Sequence, residues 1–149
     1  MNRFYSLICF LLVVSATQTQ SLFLSRIKND TPDTLYKVIV PDEEYDVLVP
    51  PGTTADFGSW LDLQRSKEVQ LAVIAGEGDA IFVNQGPESA GCASEESFAQ
   101  SIEYWAGFPS TSSEDKIYKT CCIDKGDLDL SLIIQPDGTP VIEENAHSK

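Results

Sequence analysis

The chain has 149 residues, of which 23 are acidic and 10 are Lys or Arg, so its formal net charge at pH 7 is −13. A field of that sign repels phosphate backbones and anionic lipid headgroups, which makes nucleic acids and membrane surfaces poor partners. Cations, basic proteins, mineral surfaces and glycans remain as candidate partners. The alternative is that the charge only keeps the protein soluble.

The first residues predict a cleavable export signal. Arg3 precedes an apolar run over residues 7–14, and Ala16 supplies a small residue at the expected cleavage site. A membrane-spanning helix needs about 20 apolar residues, roughly twice the length of this run. We therefore expect residues 1–16 to be removed and the rest of the chain to be secreted, without insertion into a membrane.

Strands are predicted through most of the remaining chain, because apolar and β-branched runs recur at short intervals between turn residues. In chain order they lie near residues 22–27, 35–40, 44–49, 69–75, 80–84, 117–123 and 127–134, with a short return at 141–142. The clearest alternation is in the seventh run, where four aliphatic side chains face one way while Asp127 and Asp129 face the other. A period of two indicates a strand with one solvent-exposed face.

Two turns connect neighbouring strands directly. Gly-Glu-Gly at 76–78 and Pro-Asp-Gly at 136–138 are typical of tight hairpins. No segment has the pattern of a helical crossover for a parallel sheet, so we expect antiparallel pairing.

One segment breaks the β pattern and predicts a short helix over about residues 95–106. Phe98, Ile102 and Trp105 recur at i, i+4 and i+7 behind a serine suited to the N-cap. The alternative is a strand, since Phe98, Ile102 and Tyr104 share one face at a period of two. Trp105 belongs to the apolar face of the predicted helix and is expected to be a packing residue.

These elements predict a mainly β protein, a single antiparallel β-sandwich-like domain over residues 17–142 with one short helix. Two sheets allow each alternating strand to bury its apolar face. The polar residues 143–149 are expected to form a disordered tail.

Three cysteines follow the export signal, and secretion into an oxidising compartment predicts at least one disulfide among them. Cys121 shares a strand face with Ile123, whereas Cys122 lies on the opposite face. We therefore predict a Cys92–Cys121 disulfide and a free Cys122 thiol that could link two chains. A vicinal bridge between Cys121 and Cys122 is the strained alternative.

Histidine-dependent catalysis is not expected, because the single histidine, His147, lies in the polar tail. No phosphate-binding glycine loop is present, and no cofactor is expected. Paired carboxylates could still serve a glycosidase-like reaction, which leaves a carboxylate-dependent hydrolase as the enzymatic alternative.

Candidate calcium ligands come from separate acidic stretches. They are Asp42 and Glu43, Asp127 and Asp129, and a glycine-rich turn that contributes further carboxylates, Glu77 and Asp79. None of the stretches matches an EF-hand loop. The alternative is loose association of cations with an acidic surface.

Two further residues are candidate sites. Asn29 begins an Asn-Asp-Thr sequon between two predicted strands, where a glycan could project freely. Trp60 lies in a segment without a clear strand or helix pattern, and an exposed tryptophan can bind sugars or a partner protein. The interpretation that we favour for Trp60 is a lid folded over the end of the β core.

The sequence therefore predicts a secreted, non-enzymatic acidic protein that acts as an extracellular binding or matrix component, with calcium or mineral association as a variant. The first alternative is a secreted effector, toxin or defence protein that binds a cell-surface or glycan target. The second is the carboxylate-dependent hydrolase.

Overall fold

The computed structural model describes residues 22–41, 43–58, 60–63, 68–87, 91–92, 98–108, 114–123 and 128–145. These residues form ten strands and no helix. In chain order the strands are β1 (Leu22–Asn29), β2 (Leu35–Val40), β3 (Glu43–Val49), β4 (Thr54–Asp56), β5 (Val69–Ala75), β6 (Ala80–Gln85), β7 (Phe98–Gly107), β8 (Ile117–Ile123), β9 (Leu128–Ile134) and β10 (Pro140–Glu144). The described part of the chain thus contains no helix with the length and hydropathy of a membrane-spanning segment.

The strands form two sheets in a sandwich-like arrangement. One sheet has four strands in the order β10-β9-β1-β4, and the other has six in the order β3-β2-β5-β6-β7-β8. Their inner faces share one hydrophobic core, to which both sheets contribute aliphatic side chains that are almost fully buried. The prediction of a mainly β, sandwich-like fold is confirmed.

Alternation sets which face of each strand is buried. In β9 the four aliphatic positions are buried, whereas Asp129 is exposed, as the period of two predicts. Each such side chain contributes about 1.5–3 kcal/mol when it leaves water. The hairpins β5–β6 and β9–β10 are antiparallel and confirm both predicted turns.

One strand pair departs from the predicted antiparallel pattern. β1 runs parallel to β9, with Leu22 opposite Leu128 and Asn29 opposite Ile134. Between these two strands the chain forms β2 and β3, then β4, and then the remaining strands of the six-stranded sheet, so the parallel pair is joined by other strands of the sandwich. The short strand β4 on the far side of β1 was not predicted.

The prediction of a helix over residues 95–106 is wrong, because β7 occupies residues 98–107 and pairs with β6 and β8. Both faces of β7 are covered. Ile102 and Tyr104 are buried in the core, while Trp105 on the outer face stacks on Phe82 with ring centroids 5.2 Å apart. Apolar side chains on both faces of a strand imitate a helical period, and pairing with two neighbours decides the structure.

The chain stays ordered beyond the predicted start of the tail. Glu143 and Glu144 belong to β10, and the backbone N–H of Asn145 donates to the Asp129 carbonyl at 3.0 Å. The Asn145 side chain also donates to Ser25 Oγ at 2.8 Å. Residues 1–16 and 146–149 lie outside the described residues, so the export signal and the rest of the tail stay predictions.

Candidate functional site

A cleft of about 380 Å³ opens at one end of the sandwich, where the loops after β1, β5 and β9 meet the beginning of β8. Its described lining residues include no lysine or arginine. Five of them are acidic: Asp33, Glu77, Asp79, Asp115 and Asp137. Carboxylates that line a concave surface concentrate a negative potential, which attracts cations.

The loops around the cleft are fastened to one another. Thr34 Oγ1 donates to the Glu77 carbonyl at 2.8 Å, and the Asp30 N–H donates to the Ile134 carbonyl at 2.8 Å. Gly76 has a φ of +97°, and a Cβ atom at that position would overlap the carbonyl oxygen of Asp33. The loops after β1 and β5 therefore pack backbone to backbone, which fixes the backbone positions from which their exposed carboxylates project.

Lys116 fastens the segment that enters β8. Its Nζ lies 3.1 Å from Glu103 Oε1 and 4.3 Å from the centre of the Trp105 ring. Both charged side chains are mostly buried, so this ion pair is better shielded from solvent than the surface pairs of the molecule. Asp115, the residue before Lys116, lines the cleft.

Asn29 makes buried hydrogen bonds to Thr31 and Thr34, two residues that line the cleft. Its side chain is fully buried, and Nδ2 donates to the carbonyls of Thr34 at 2.7 Å and Val49 at 2.9 Å. Its Oδ1 accepts from the backbone N–H of Thr31 at 3.1 Å and from Thr31 Oγ1 at 2.5 Å. The expectation that a glycan projects freely from Asn29 is wrong, because both Nδ2 hydrogens are used inside the fold.

Asp137 has both a structural and an electrostatic role. Its carboxylate accepts the backbone N–H of Thr139 at 3.0 Å, and this hydrogen bonding lowers the pKa of Asp137 below its ordinary value of 3.8. The carboxylate therefore stays charged to lower pH than a free aspartate. Because the folded pKa is the lower one, its contribution to stability is present above pH 3.8 and is lost as pH falls further.

The predicted calcium ligands that the structure describes come from different parts of the fold. Asp42 and Asp127 lie outside the described residues, Asp129 projects from the four-stranded sheet, and Glu43 begins β3 in the six-stranded sheet. Among the residues that the structure describes, no group of three or more His, Cys, Asp or Glu side chains could hold a metal ion. Of the described candidate ligands, Glu77 and Asp79 from the glycine-rich turn line the cleft, whereas Glu43 and Asp129 do not.

The disulfide joins Cys92 to Cys122, so the predicted Cys92–Cys121 pairing is wrong. The faces of β8 were predicted correctly, because Cys121 is buried with Ile123 while Cys122 is exposed. The wrong step was the assumption that Cys92 pairs with the cysteine on the buried face of β8. Cys92 meets β8 on its outer face, which leaves Cys121 as the free thiol and removes Cys122 as a link between chains.

We expect the Cys121 thiol to be unreactive in the folded protein. Burial raises its pKa to about 12, and a hydrogen bond with Glu144 and the charge of that carboxylate add to the shift. Iodoacetamide at mildly alkaline pH should therefore label the chain from residue 17 onward about 100-fold more slowly when folded than in guanidinium. Cys121→Ala should show no labelling in either state, and rapid labelling of the folded protein would contradict the assignment.

The same thiol makes stability depend on pH. The folded state favours the neutral form, so this contribution is fully present below the unfolded pKa of 9.0 and is lost as pH rises toward 12. The loss amounts to at most about 1.4 kcal/mol per pH unit. Cys121→Ala should lack this part of the alkaline destabilisation.

Trp60 is 76% exposed, so the lid interpretation is wrong. The residues that this segment contributes to the hydrophobic core are Phe57, Leu61 and Leu63, which are buried. Trp60 therefore remains a candidate for binding.

The fold and the cleft define a two-sheet β sandwich that carries an acidic cleft between the loops at one end. No protein-family model, no curated protein and no solved structure matches the chain.

Proposed function

We propose that the protein is a secreted, non-enzymatic binding protein of the extracellular space, and that its acidic cleft takes a positively charged segment of a partner protein. The observation that carries the proposal is the cleft, with five carboxylates and no lysine or arginine among its described lining residues. The intramolecular disulfide is compatible with an extracellular location, as is the predicted export signal.

A polypeptide fits this cleft better than a single metal ion. The carboxylates come from the loops after β1, β5 and β9 and from the segment before β8, so they are distributed around the opening. Calcium needs six to eight oxygens at about 2.3–2.6 Å, whereas separate guanidinium or ammonium groups can each meet one or two carboxylates. A segment rich in arginine or lysine could therefore engage several of them together.

The backbone contacts between the loops favour such binding. Loops that already pack against one another lose less conformational entropy when a partner binds than loops that must first be ordered. Long-range attraction between the negative cleft and a basic partner should also speed association, and added salt should screen that attraction. Binding is therefore expected to weaken as ionic strength rises.

The test uses a fluorescein-labelled oligo-arginine peptide and fluorescence anisotropy at low and physiological salt. The cleft variant Asp33→Asn/Glu77→Gln/Asp79→Asn should bind about tenfold more weakly than the parent protein. The matched control, Asp46→Asn/Asp129→Asn/Glu143→Gln, removes the same charge outside the cleft and should lose about threefold or less. Equal losses in both variants would show that net charge alone attracts the peptide.

Thermal melts in millimolar calcium or magnesium distinguish the calcium-associated variant of this function. A ligand that binds only the folded state raises its stability by mass action. We expect the two cations to give equal, small shifts from charge screening. A rise selective for calcium would contradict the dispersed arrangement of the carboxylates and restore a metal-dependent role.

A further inference from the structure

The segment that carries Trp60 is fixed on both sides of the exposed indole. The Phe57 N–H donates to the Ser25 carbonyl at 2.7 Å, and the Leu24 N–H donates to the Leu61 carbonyl at 2.9 Å. The Trp60 N–H itself donates to the Phe57 carbonyl at 3.1 Å. The indole is therefore presented to solvent by a segment attached along the edge of the four-stranded sheet.

Gly58 connects the indole to a polar pair on the neighbouring strands. Gly58, with a φ of +57°, lies beside Trp60, and a Cβ atom at Gly58 would sit 4.0 Å from the indole Cδ1. The Gly58 N–H donates to Asp56 Oδ1 at 3.3 Å, and Arg26 Nε lies 3.7 Å from Asp56 Oδ2. The exposed Asp56–Arg26 pair is thus linked through the Gly58 backbone to the segment that carries Trp60, and we call these four residues, Arg26, Asp56, Gly58 and Trp60, the Trp60 patch.

The patch combines the groups that recognise a sugar ring. The apolar C–H face of a pyranose can stack on an indole, while Asp56 can accept hydrogen bonds from hydroxyls and Arg26 can donate to them. The net charge of −13 opposes anionic glycans, which leaves neutral ones. We infer that the Trp60 patch binds a neutral oligosaccharide, and this inference does not depend on the function proposed for the cleft.

A protein partner fits the patch less well. Protein hot spots usually lie at the centre of an apolar, well-packed surface. Among the described residues, the other large exposed apolar side chains are Leu48, Ile74, Phe108, Ile117 and Tyr118. All of them belong to the six-stranded sheet or the residue after β7, so none of these described side chains extends an apolar surface from Trp60 along the edge of the four-stranded sheet.

Two tryptophans with opposite exposure make the test direct. Trp60 is largely exposed and Trp105 is buried, so acrylamide should quench mainly Trp60. Four neutral probes are titrated: cellohexaose, laminarihexaose, mannohexaose and N-acetylchitohexaose. At least one should protect Trp60 from quenching in a saturable manner, and Trp60→Ala should weaken its affinity, measured by calorimetry, about tenfold or more.

Two controls separate this site from the cleft and from general effects. Phe108→Ala removes a comparably exposed aromatic side chain from another surface and should leave the affinity unchanged. The cleft variant Asp33→Asn/Glu77→Gln/Asp79→Asn should also bind the oligosaccharide normally, while Trp60→Ala should bind the oligo-arginine peptide normally. Because Trp60 makes little buried contact, Trp60→Ala should also keep the melting temperature of the parent protein.

Three results would overturn the inference. The first is failure of all four probes to protect Trp60. The second is full oligosaccharide affinity in Trp60→Ala. The third is binding that depends on Trp60 but occurs only with a protein partner, which would assign the patch to protein recognition instead.

Discussion

Asn29→Ala is expected to lower the free energy of unfolding by about 3–5 kcal/mol. The substitution removes the Asn29 amide donor from the carbonyls of Thr34 and Val49, which leaves the Thr34 carbonyl with a 3.3 Å hydrogen bond from Thr31 Oγ1, and it also removes the acceptor used by Thr31. These groups are buried where β1, β2 and β3 meet, so water replaces the lost partners poorly. Urea denaturation at neutral pH measures the effect as a lower midpoint with an unchanged m-value.

Three further variants serve as controls for the free energy of unfolding of Asn29→Ala. Asp30→Ala removes a neighbouring side chain but keeps the backbone hydrogen bond to Ile134, so it should cost about 1 kcal/mol or less. Thr31→Val loses only the hydroxyl contacts and should be intermediate, whereas Asn29→Asp loses both amide donors and should be nearly as unstable as Asn29→Ala. A loss below about 1 kcal/mol for Asn29→Ala would contradict the role of this side chain.

Mass spectrometry adds an independent check on Asn29. Because the folded structure uses both hydrogens of Nδ2, the folded, secreted chain is expected to carry no glycan at this position. A mass shift on treatment with a glycosidase, removed by Asn29→Gln, would contradict this arrangement.

Loss of the Cys92–Cys122 disulfide is expected to cost about 3–4 kcal/mol in the chain-entropy model. The bridge spans a sequence separation of 30 residues and ties the segment before β7 to the outer face of β8. Cys92→Ser/Cys122→Ser should be destabilised by this amount, and reduction of the parent protein should have a similar effect. Urea midpoints with and without reductant provide the measurement.

Cys121→Ala is the matched control, because it removes a cysteine from the same strand without removing a crosslink. It should cost about 1–2 kcal/mol from lost packing, and its midpoint should still fall when reductant is added. A Cys121→Ala variant that is insensitive to reductant would return the disulfide to Cys121.

Strands with one exposed face could be predicted from the sequence, as β9 illustrates. The strand β7 could not, because Trp105 packs on Phe82 outside the core while Ile102 packs inside it. The apolar residues of β7 lie on both faces of the strand, so the spacing of apolar residues along the sequence does not distinguish a strand from a helix. The parallel pairing of β1 with β9 depends on residues far apart in the chain, which no local pattern reports.

The cleft could be predicted only in part, because it is formed by residues that are far apart in the chain. Glu77 and Asp79 stand out in their glycine-rich turn, but Asp33, Asp115 and Asp137 come from other loops that only the topology brings together. Asn29 shows a different limit. The spacing that makes Asn-Asp-Thr a glycosylation sequon also allows an asparagine oxygen to accept from the residue two positions later, as it does here.

The parallel contact between β1 and β9 has a consequence for the order of assembly. A chain synthesised from its N-terminus can pair β2 with β3, and then β5 through β8, as successive hairpins while it is still growing. β1 is made first, yet its main partner follows only after residue 127. Contacts of such long sequence separation slow folding. Although β4 can pair early with one edge of β1, the backbone groups on the edge that faces β9 stay unpaired until nearly the whole chain has emerged.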